Sequence, residues 1–408
     1  MKQRDEAIMY QIPAGGQRQN PLATLRHSLF IAVFASLPVI GLVAGPSYAP
    51  LLFGLAGLSA ILAGVEYRRW PALDRPVALI VLLFVLLCAV GLLDTFSPRI
   101  TQQRLGQMAG ISIGCVLLLA VPVAERQADR LVSVLFWTVA LGVAILGADT
   151  AFDYPLQHAL GGDAVNIGTK YNRGLIALVI LAWPAAANLA ARGARGKARL
   201  TIAFVLLASI VGLSTTGLVA LLAGFFVWLV ALKAPRFAAI ALGAGMSLLG
   251  LALPVLLRIA SGQRDHLGSV VKSSGIHRLE IWDYMTARVT ERPLLGWGLA
   301  AANNVPIRPQ ELARYQFVVP QGVYPHQQWL ELWLELGVAG VLIALAASLL
   351  VVGRIDRLPP HTRPFGFAAF AAAMTVSFSN FEITTDSWWA ALAGTAFLVR
   401  AAVRLEAA

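Results

Sequence analysis

A histidine-led segment, YPHQQWLELWLELGVAG at residues 324–340, contains the clearest candidate for acid-base chemistry. Pro325 can open a helix, because its missing N–H costs nothing in a first turn, and this predicts that His326 lies at a helix N-terminus. The positive end of the helix dipole disfavours the imidazolium, and a neutral imidazole beside water is a competent general base. The helical period puts two groups on opposite faces, His326, Trp329, Leu330, Trp333, Gly337 and Gly340 against Glu331 and Glu335.

The same pattern fits a second interpretation of His326. In this alternative the histidine and its neighbouring tryptophans anchor a membrane helix at the lipid interface. The residues alone leave both interpretations open. If the segment is an active site, Tyr324 and Gln327 beside the histidine are candidate substrate-binding residues.

A second candidate segment is HRLEIWDYMTARVTERPLLGWG, at residues 277–298. Arg278 and Trp282 are four residues apart, so in a helix the guanidinium can lie against the indole and be held in place. A fixed guanidinium suits bidentate binding of phosphate oxygens. The GWG at Gly296–Gly298 predicts a turn that lets two backbones approach closely. The alternative for Arg278 is a solvated basic helix on a surface loop.

Two further cations, Lys170 and Arg173, lie in NIGTKYNRG at the boundary of a predicted membrane span. They are candidates for binding an anionic substrate, and anchoring to lipid headgroups is the alternative. The sequence contains no HExxH, Gly-rich phosphate loop or GxSxG motif, so we predict neither a metal nor a cofactor. A base with several cations suits sugar transfer from a lipid diphosphate, which needs a base for the attacking hydroxyl and positive charge for the leaving group.

The elements that position these residues are predicted to be membrane-spanning helices. The chain is 58% hydrophobic and 13% charged over 408 residues, too little polar surface for a soluble protein of this size. About twelve apolar runs are long enough to cross a bilayer of roughly 30 Å. They are 27–45, 49–65, 76–93, 105–123, 131–148, 171–191, 200–213, 217–232, 237–257, 337–352, 364–380 and 388–403.

The long hydrophilic passage between the ninth and tenth runs sets the domain layout. We predict a cytoplasmic N-terminal segment at 1–26, nine spans within 27–258, a large periplasmic loop at 259–336, and three spans with a short cytoplasmic C-terminus within 337–408. Alternate loops carry 20 and 12 of the 32 Lys and Arg residues, and cytoplasmic loops are enriched in these residues, so both termini should be cytoplasmic. The net charge of +11 is dispersed among loops, which argues against a nucleic-acid partner.

This layout and three motifs resemble the bacterial O-antigen ligases and the related O-antigen polymerases and protein O-oligosaccharyltransferases. The resemblance covers the whole arrangement of spans around one large periplasmic loop. Its most specific positions are His326, Leu330, Glu335, Leu336 and Gly337, then Arg278, Trp282, Pro293, Gly296 and Gly298, and finally Asn172 and Arg173.

The resemblance implies a metal-independent, inverting glycosyltransferase in the bacterial inner membrane. It would transfer a whole glycan from undecaprenyl diphosphate to lipid A-core, the last step of lipopolysaccharide assembly. His326 would activate the acceptor hydroxyl, and Arg278 and Arg173 would hold the diphosphate, with Lys170 and Trp282 less constrained.

Three alternatives stay open at this point. A polymerase would use a second lipid-linked repeat as acceptor, and a protein O-oligosaccharyltransferase would use a Ser or Thr. A non-enzymatic glycolipid transporter would need charged groups along a path through the spans, and the predicted spans contain few. The glycan, the acceptor sugar and the oligomeric state are not specified by the sequence.

Overall fold

The computed structural model of the protein describes residues 21–43, 47–68, 70–121, 125–160, 171–263, 273–305, 307–314 and 324–406. All regular secondary structure in these ranges is helical, so the predicted all-α membrane protein is confirmed. The helices in chain order are α1 Pro21–Val43, α2 Tyr48–Tyr67, α3 Arg75–Val90, α4 Pro98–Ala120, α5 Glu125–Ala151, α6 Pro155–Ala159, α7 Asn172–Ala191, α8 Arg195–Val211, α9 Thr215–Lys233, α10 Pro235–Gly262, α11 Ser273–Glu291, α12 Pro309–Arg314, α13 Gln328–Asp356, α14 Arg363–Ser377 and α15 Asp386–Glu406.

Nine helices in the described part of the chain are long and apolar enough to cross a bilayer. They are α1, α2, α3 with its short 3-10 extension, α4, most of α5, α7, α9, α10 and α13. The other three predicted spans coincide with α8, α14 and α15. The described residues of these helices do not meet the same criteria of length and hydropathy. The chain is therefore a multi-pass membrane protein, while the count of twelve spans stays a prediction.

Helix starts differ most from the prediction where a helix begins outside its apolar run. α4 begins at Pro98 rather than Leu105, because proline suits the first turn and the polar residues after it tolerate helix. α13 begins at Gln328, although the predicted span begins at Gly337. Gly337 is a kink inside this helix, with φ 62° and ψ −161°. Hydropathy thus detects the part of a helix suited to lipid and misses its start.

Two buried helices form the centre of the fold, and the first is α7. Its residues from Gly174 to Leu189 are all buried, and it packs against α1, α8, α14 and α15. A Cβ added at Gly174 would lie 2.1 Å from the carbonyl oxygen of Gly41 in α1, so the two backbones are in direct contact. Small residues allow such close approach between membrane helices. This contact fixes the first turn of α7, which contains Arg173.

The second central helix is α13, whose residues from Gln328 to Gly337 are all buried. It packs against α3, α10, α11 and α14. Between α10 and α13 the described residues form α11, a turn at 293–298, a 3-10 turn at Ala301–Asn303 and α12. The predicted hydrophilic loop is therefore largely folded against the membrane helices. His326 lies two residues before the start of α13, and Arg173 is the second residue of α7.

Candidate active site

The segment Tyr324–Gln327 leads into α13 without being part of it. Gln327 is the N-cap in extended conformation, and its side-chain oxygen accepts a hydrogen bond from the backbone N–H of Leu330. This cap fixes the helix start at Gln328, so the predicted helix opening at Pro325 is wrong. His326 therefore shares no helical face with the tryptophans. It adopts a left-handed conformation with φ 50°, and its ring lies edge-on to Tyr324 with centroids 4.4 Å apart.

Trp282 of α11 holds this segment in place. Its indole N–H donates a hydrogen bond of 2.8 Å to the carbonyl oxygen of Pro325, the residue before the histidine. In the described part of the chain, the indole of Trp282 makes this hydrogen bond rather than the predicted stacking contact with Arg278. One turn earlier in α11, the guanidinium of Arg278 donates a long hydrogen bond of 3.5 Å to the carbonyl oxygen of Ser379, after α14. Trp282 and Gln327 thus hold the segment in place, and a role for either in binding substrate stays a prediction.

Two arginines distant in sequence act on the same tyrosine. Burial raises the pKa of Tyr324 above its ordinary value, and the negative charges of Glu331 and Glu382 raise it further. The positive charges of Arg173 and Arg278 oppose this effect. Both arginines are therefore within electrostatic range of Tyr324, and Arg278 also acts on the adjacent His326. Lys170 lies outside the described residues.

The His326 ring is neutral at physiological pH. Burial lowers its pKa from the ordinary 6.5 to about 4, and the positive charges of Arg278 and His277 contribute in the same direction. The sequence predicted a neutral imidazole from the helix dipole, whereas the main cause in the structure is desolvation. A half-buried, uncharged imidazole retains its proton-accepting nitrogen and can serve as a base.

Arg173 and Arg278 differ from the nearby Arg288 in that they lack an acidic partner among the described residues. The side chain of Arg288 in α11 is 2% exposed and forms ion pairs with Glu311 at 2.7 Å and Glu291 at 3.2 Å. Among the residues that the structure describes, neither Arg173 nor Arg278 has a carboxylate within ion-pair distance. Their charges are therefore available to an anion, whereas Arg288 is committed to holding α11 and α12 together.

Two buried glutamates support the site, and the sequence did not identify them as such. Glu331 accepts a hydrogen bond of 2.7 Å from the backbone N–H of Ile383 and so ties α13 to the connection that also contains Ser379. Glu335 accepts a bond of 3.3 Å from the backbone N–H of Ala302. Both side chains are almost fully buried. The sequence could have revealed them by their spacing, because two acidic residues four positions apart in an apolar helix lie on the same face.

The GWG turn packs directly on the kink of α13, which confirms the predicted close approach of two backbones. Two hydrogen bonds run from the turn to α13, from Trp297 N to Leu334 O and from Gly298 N to Glu335 O, each at 2.9 Å. A third runs from Val338 N to Pro293 O at 2.8 Å. We call this paired structure the backbone clasp, formed by residues 293–298 and 334–339.

The clasp predicts that Gly337→Ala unfolds or strongly destabilises the protein. A Cβ at this position would lie 2.4 Å from the carbonyl carbon and oxygen of Leu294, and φ 62° with ψ −161° is strained for any other residue. The expected loss is at least about 3 kcal/mol. Thermal unfolding of the purified protein in detergent measures it.

Gly353→Ala is the matched control, because it lies in the same helix and an added Cβ there meets nothing within 4 Å. It should unfold at the same temperature as the unaltered protein or slightly above it, since alanine favours helix. Equal unfolding temperatures for the two variants would show that the clasp does not constrain α13.

Residues 200–345 match the family model described as O-antigen ligase. The curated relatives include a protein of Rickettsia felis named "Putative polysaccharide ligase", 26% identical over 230 residues, or 53% of this chain and 54% of that protein. Relatives with the same description come from Rickettsia conorii, 27% identical over 28% of this chain and 29% of its own length, and Rickettsia typhi, 26% identical over 29% and 30%.

The family match spans the segments that contain Arg278, Trp282 and His326, and Arg173 lies before it. The chain spans about half the length of the first of these relatives and under a third of the other two. The resemblance that the motifs predicted is confirmed over this region.

Proposed function

We propose that this chain, whose residues 200–345 match the O-antigen ligase family model, transfers a glycan from undecaprenyl diphosphate to lipid A-core, the last step of lipopolysaccharide assembly. One observation carries the proposal. A half-buried histidine whose pKa is lowered by burial and by Arg278 follows Tyr324, on which Arg278 and Arg173 both act, and neither arginine has a carboxylate partner in the described part of the chain. A base and positive charge are the two groups that sugar transfer from a diphosphate requires.

The proposed reaction begins with the acceptor. The free nitrogen of His326 takes the proton of the acceptor hydroxyl, and the oxygen attacks the anomeric carbon of the donor sugar. The bond between that carbon and the diphosphate oxygen breaks, with its electron pair leaving on the diphosphate. Attack from the face opposite the leaving group inverts the anomeric configuration. The proton on His326 then passes to water, which restores the base.

Arg173 and Arg278 would stabilise the charge that develops on the leaving diphosphate. A guanidinium carries positive charge and can present two parallel N–H donors to phosphate oxygens. Fixed positive charge at this position would substitute for the divalent ion that many glycosyltransferases use, so we propose that transfer is independent of metal. Tyr324, whose ring contacts His326 and on which both arginines act, would contact the sugar or the diphosphate.

We place this chemistry on the periplasmic face of a bacterial inner membrane. The excess of Lys and Arg in alternate loops supports this orientation, with both termini cytoplasmic. A donor carried on a long polyprenyl chain would approach from the lipid, which fits a site built on the ends of membrane helices.

Deletion of the gene tests the proposed acceptor, with lipopolysaccharide and carrier-linked glycan analysed together. We expect lipid A-core without long glycan, and long glycan retained on the polyprenyl carrier. Lipid A-core bearing single repeats would indicate the polymerase instead. Unchanged lipopolysaccharide would contradict the ligase and favour protein glycosylation. Restoration by a plasmid copy of the unaltered gene controls for effects on neighbouring genes.

A further inference from the structure

A lysine at the start of α8 is held over two aromatic rings of α5. The ammonium nitrogen of Lys197 lies 5.7 Å from the ring centroid of Phe136 and 5.9 Å from that of Trp137. The two rings meet edge to face, with their centroids 5.1 Å apart. An ammonium group within about 6 Å of a ring centroid is attracted to the face of that ring. The charge of Lys197 is therefore held at a defined place between α5 and α8.

A small apolar cluster supports this arrangement from beneath. Phe136 is 5% exposed and packs with Ala198 of α8 and Leu189 of α7, which fixes the start of α8 against α5. The neighbouring Trp137 is 61% exposed, and Lys197 is exposed as well. One ring thus belongs to the packing of the protein, while the indole and the ammonium group stay open to a ligand from outside.

Three cations lie within five residues at the start of α8, without acidic residues to balance them. Arg195, Lys197 and Arg199 are exposed, and none of them forms an ion pair within the ranges that the structure describes. The first turn of α8 contains no acidic residue, and its N-cap, Ala194, provides no side-chain cap. Positive charge at the positive end of a helix dipole is unfavourable. The cations therefore do not stabilise α8 itself, and an external anion would relieve their repulsion.

The surroundings of the lysine indicate the kind of anion. Trp137 is the fifth residue of the apolar part of α5, which begins at Ser133, so it lies about 6 Å inside that span. Farther along the two helices, Leu141 of α5 and Leu200 and Leu207 of α8 are about half exposed. Positive charge at the edge of the membrane thus adjoins apolar surface within it. A phospholipid matches both features, whereas free phosphate would use the charge alone.

We propose that Lys197, with Trp137 and Phe136, binds the headgroup of an anionic phospholipid. The headgroup phosphate would accept hydrogen bonds from the ammonium group of Lys197 and from the indole N–H of Trp137. The acyl chains would lie along the exposed leucines of α5 and α8, and the two neighbouring arginines would add to the attraction. A tryptophan beside a cation suits the boundary between headgroups and hydrocarbon.

This lipid site is separate from the proposed reaction centre. It lies at the end of α7 opposite Arg173, about 30 Å away along that helix. In the orientation proposed above, it faces the cytoplasmic leaflet, where basic surfaces between membrane helices attract anionic headgroups. Its existence does not depend on the proposed glycan transfer, because it involves neither His326 nor the arginines near Tyr324.

Lys197→Gln tests the proposal, because it removes the charge from an exposed position. Binding of phosphatidylglycerol, which is anionic, and of phosphatidylethanolamine, which has no net charge, is measured separately on the purified protein by native mass spectrometry. We expect the dissociation constant for phosphatidylglycerol to rise about fivefold, the usual effect of one basic residue near anionic lipid, and that for phosphatidylethanolamine to stay unchanged. Trp137→Leu should also weaken phosphatidylglycerol, since one of the rings that hold the ammonium group is lost.

Lys233→Gln is the matched control. Lys233 is exposed at the end of α9, which lies at the same end of the helices as the start of α8. In the described part of the chain it has neither an ion pair nor an aromatic ring in cation–π contact. It should leave both dissociation constants unchanged.

Three results would overturn the proposal. Equal weakening of phosphatidylglycerol by Lys197→Gln and Lys233→Gln would show that the lipid responds only to net charge. Unchanged binding in Lys197→Gln would remove the lysine from lipid binding. An equal loss for both lipids would show that the site does not recognise an anion. Thermal unfolding in lipid-free detergent should give the same temperature for both lysine variants and the unaltered protein, because both side chains are exposed.

Discussion

His326→Ala should reduce glycan transfer by about 100- to 10,000-fold, the usual contribution of a general base. Binding of the proposed undecaprenyl-diphosphate donor should be almost unchanged, because the arginines that we propose hold the diphosphate remain. Transfer by purified protein, measured as glycan joined to lipid A-core, gives the rate, and donor affinity is measured in parallel. His361→Ala is the control, since His361 is exposed and lies between α13 and α14, beyond the end of α13 that is opposite His326. Full activity in His326→Ala would remove the histidine from the mechanism.

The same residue predicts a pH dependence. Only the neutral imidazole can accept a proton, and its pKa is about 4, below the ordinary 6.5, because the ring is partly buried near Arg278 and His277. Transfer should therefore hold its rate as the pH falls from neutral to about 5 and then drop as the pH passes through the pKa. A midpoint near the ordinary value would show that the working histidine is exposed to water.

Arg278→Ala should reduce transfer by about 100- to 1,000-fold, the range found when one group that stabilises developing charge is removed. The loss should fall on kcat as well as on KM for the donor, since the negative charge on the leaving diphosphate is greater in the transition state than in the bound donor. Arg278→Lys should be faster than Arg278→Ala because it keeps the positive charge. It should stay slower than the unaltered protein because lysine lacks the second parallel N–H donor of arginine.

Arg308→Ala controls for the loss of one positive charge from the same hydrophilic segment. Arg308 is exposed and pairs with Glu291 at 2.9 Å, so its removal changes net charge without touching the site. It should retain nearly full transfer. An equal loss of transfer in both variants would mean that Arg278 acts only through the net positive charge of this segment. Normal transfer in Arg278→Ala would exclude Arg278 from the reaction.

The sequence predicted the helices well, because about twenty successive apolar residues leave few alternatives to a membrane span. It did not predict where those helices start. The start of α13 depends on the side chain of Gln327, which caps the backbone N–H of Leu330. Glutamine is not among the residues preferred at an N-cap, so the sequence did not mark Gln327 as a cap. Pro325 was therefore the better candidate for the start of the helix.

The composition of the site was partly predictable and its assembly was not. The motifs around Arg278 and His326 lie within 50 residues of each other, and the backbone clasp follows from glycines that the sequence shows. Arg173 reaches the same place only because α7 packs on α1 through Gly174 and Gly41. Membrane helices pair through such small contacts, which apolar periodicity does not reveal. The burial of Glu331, likewise, depends on the segment that packs over it.

The central claim is that a neutral histidine and two arginines transfer the glycan without a metal ion. The most direct test is transfer by the purified protein in nanodiscs, with undecaprenyl-diphosphate-linked glycan, lipid A-core and an excess of chelator. We predict that glycan appears on lipid A-core with inverted anomeric configuration, at the same rate with and without chelator. Loss of transfer on chelation, with recovery when a divalent ion is restored, would contradict the claim.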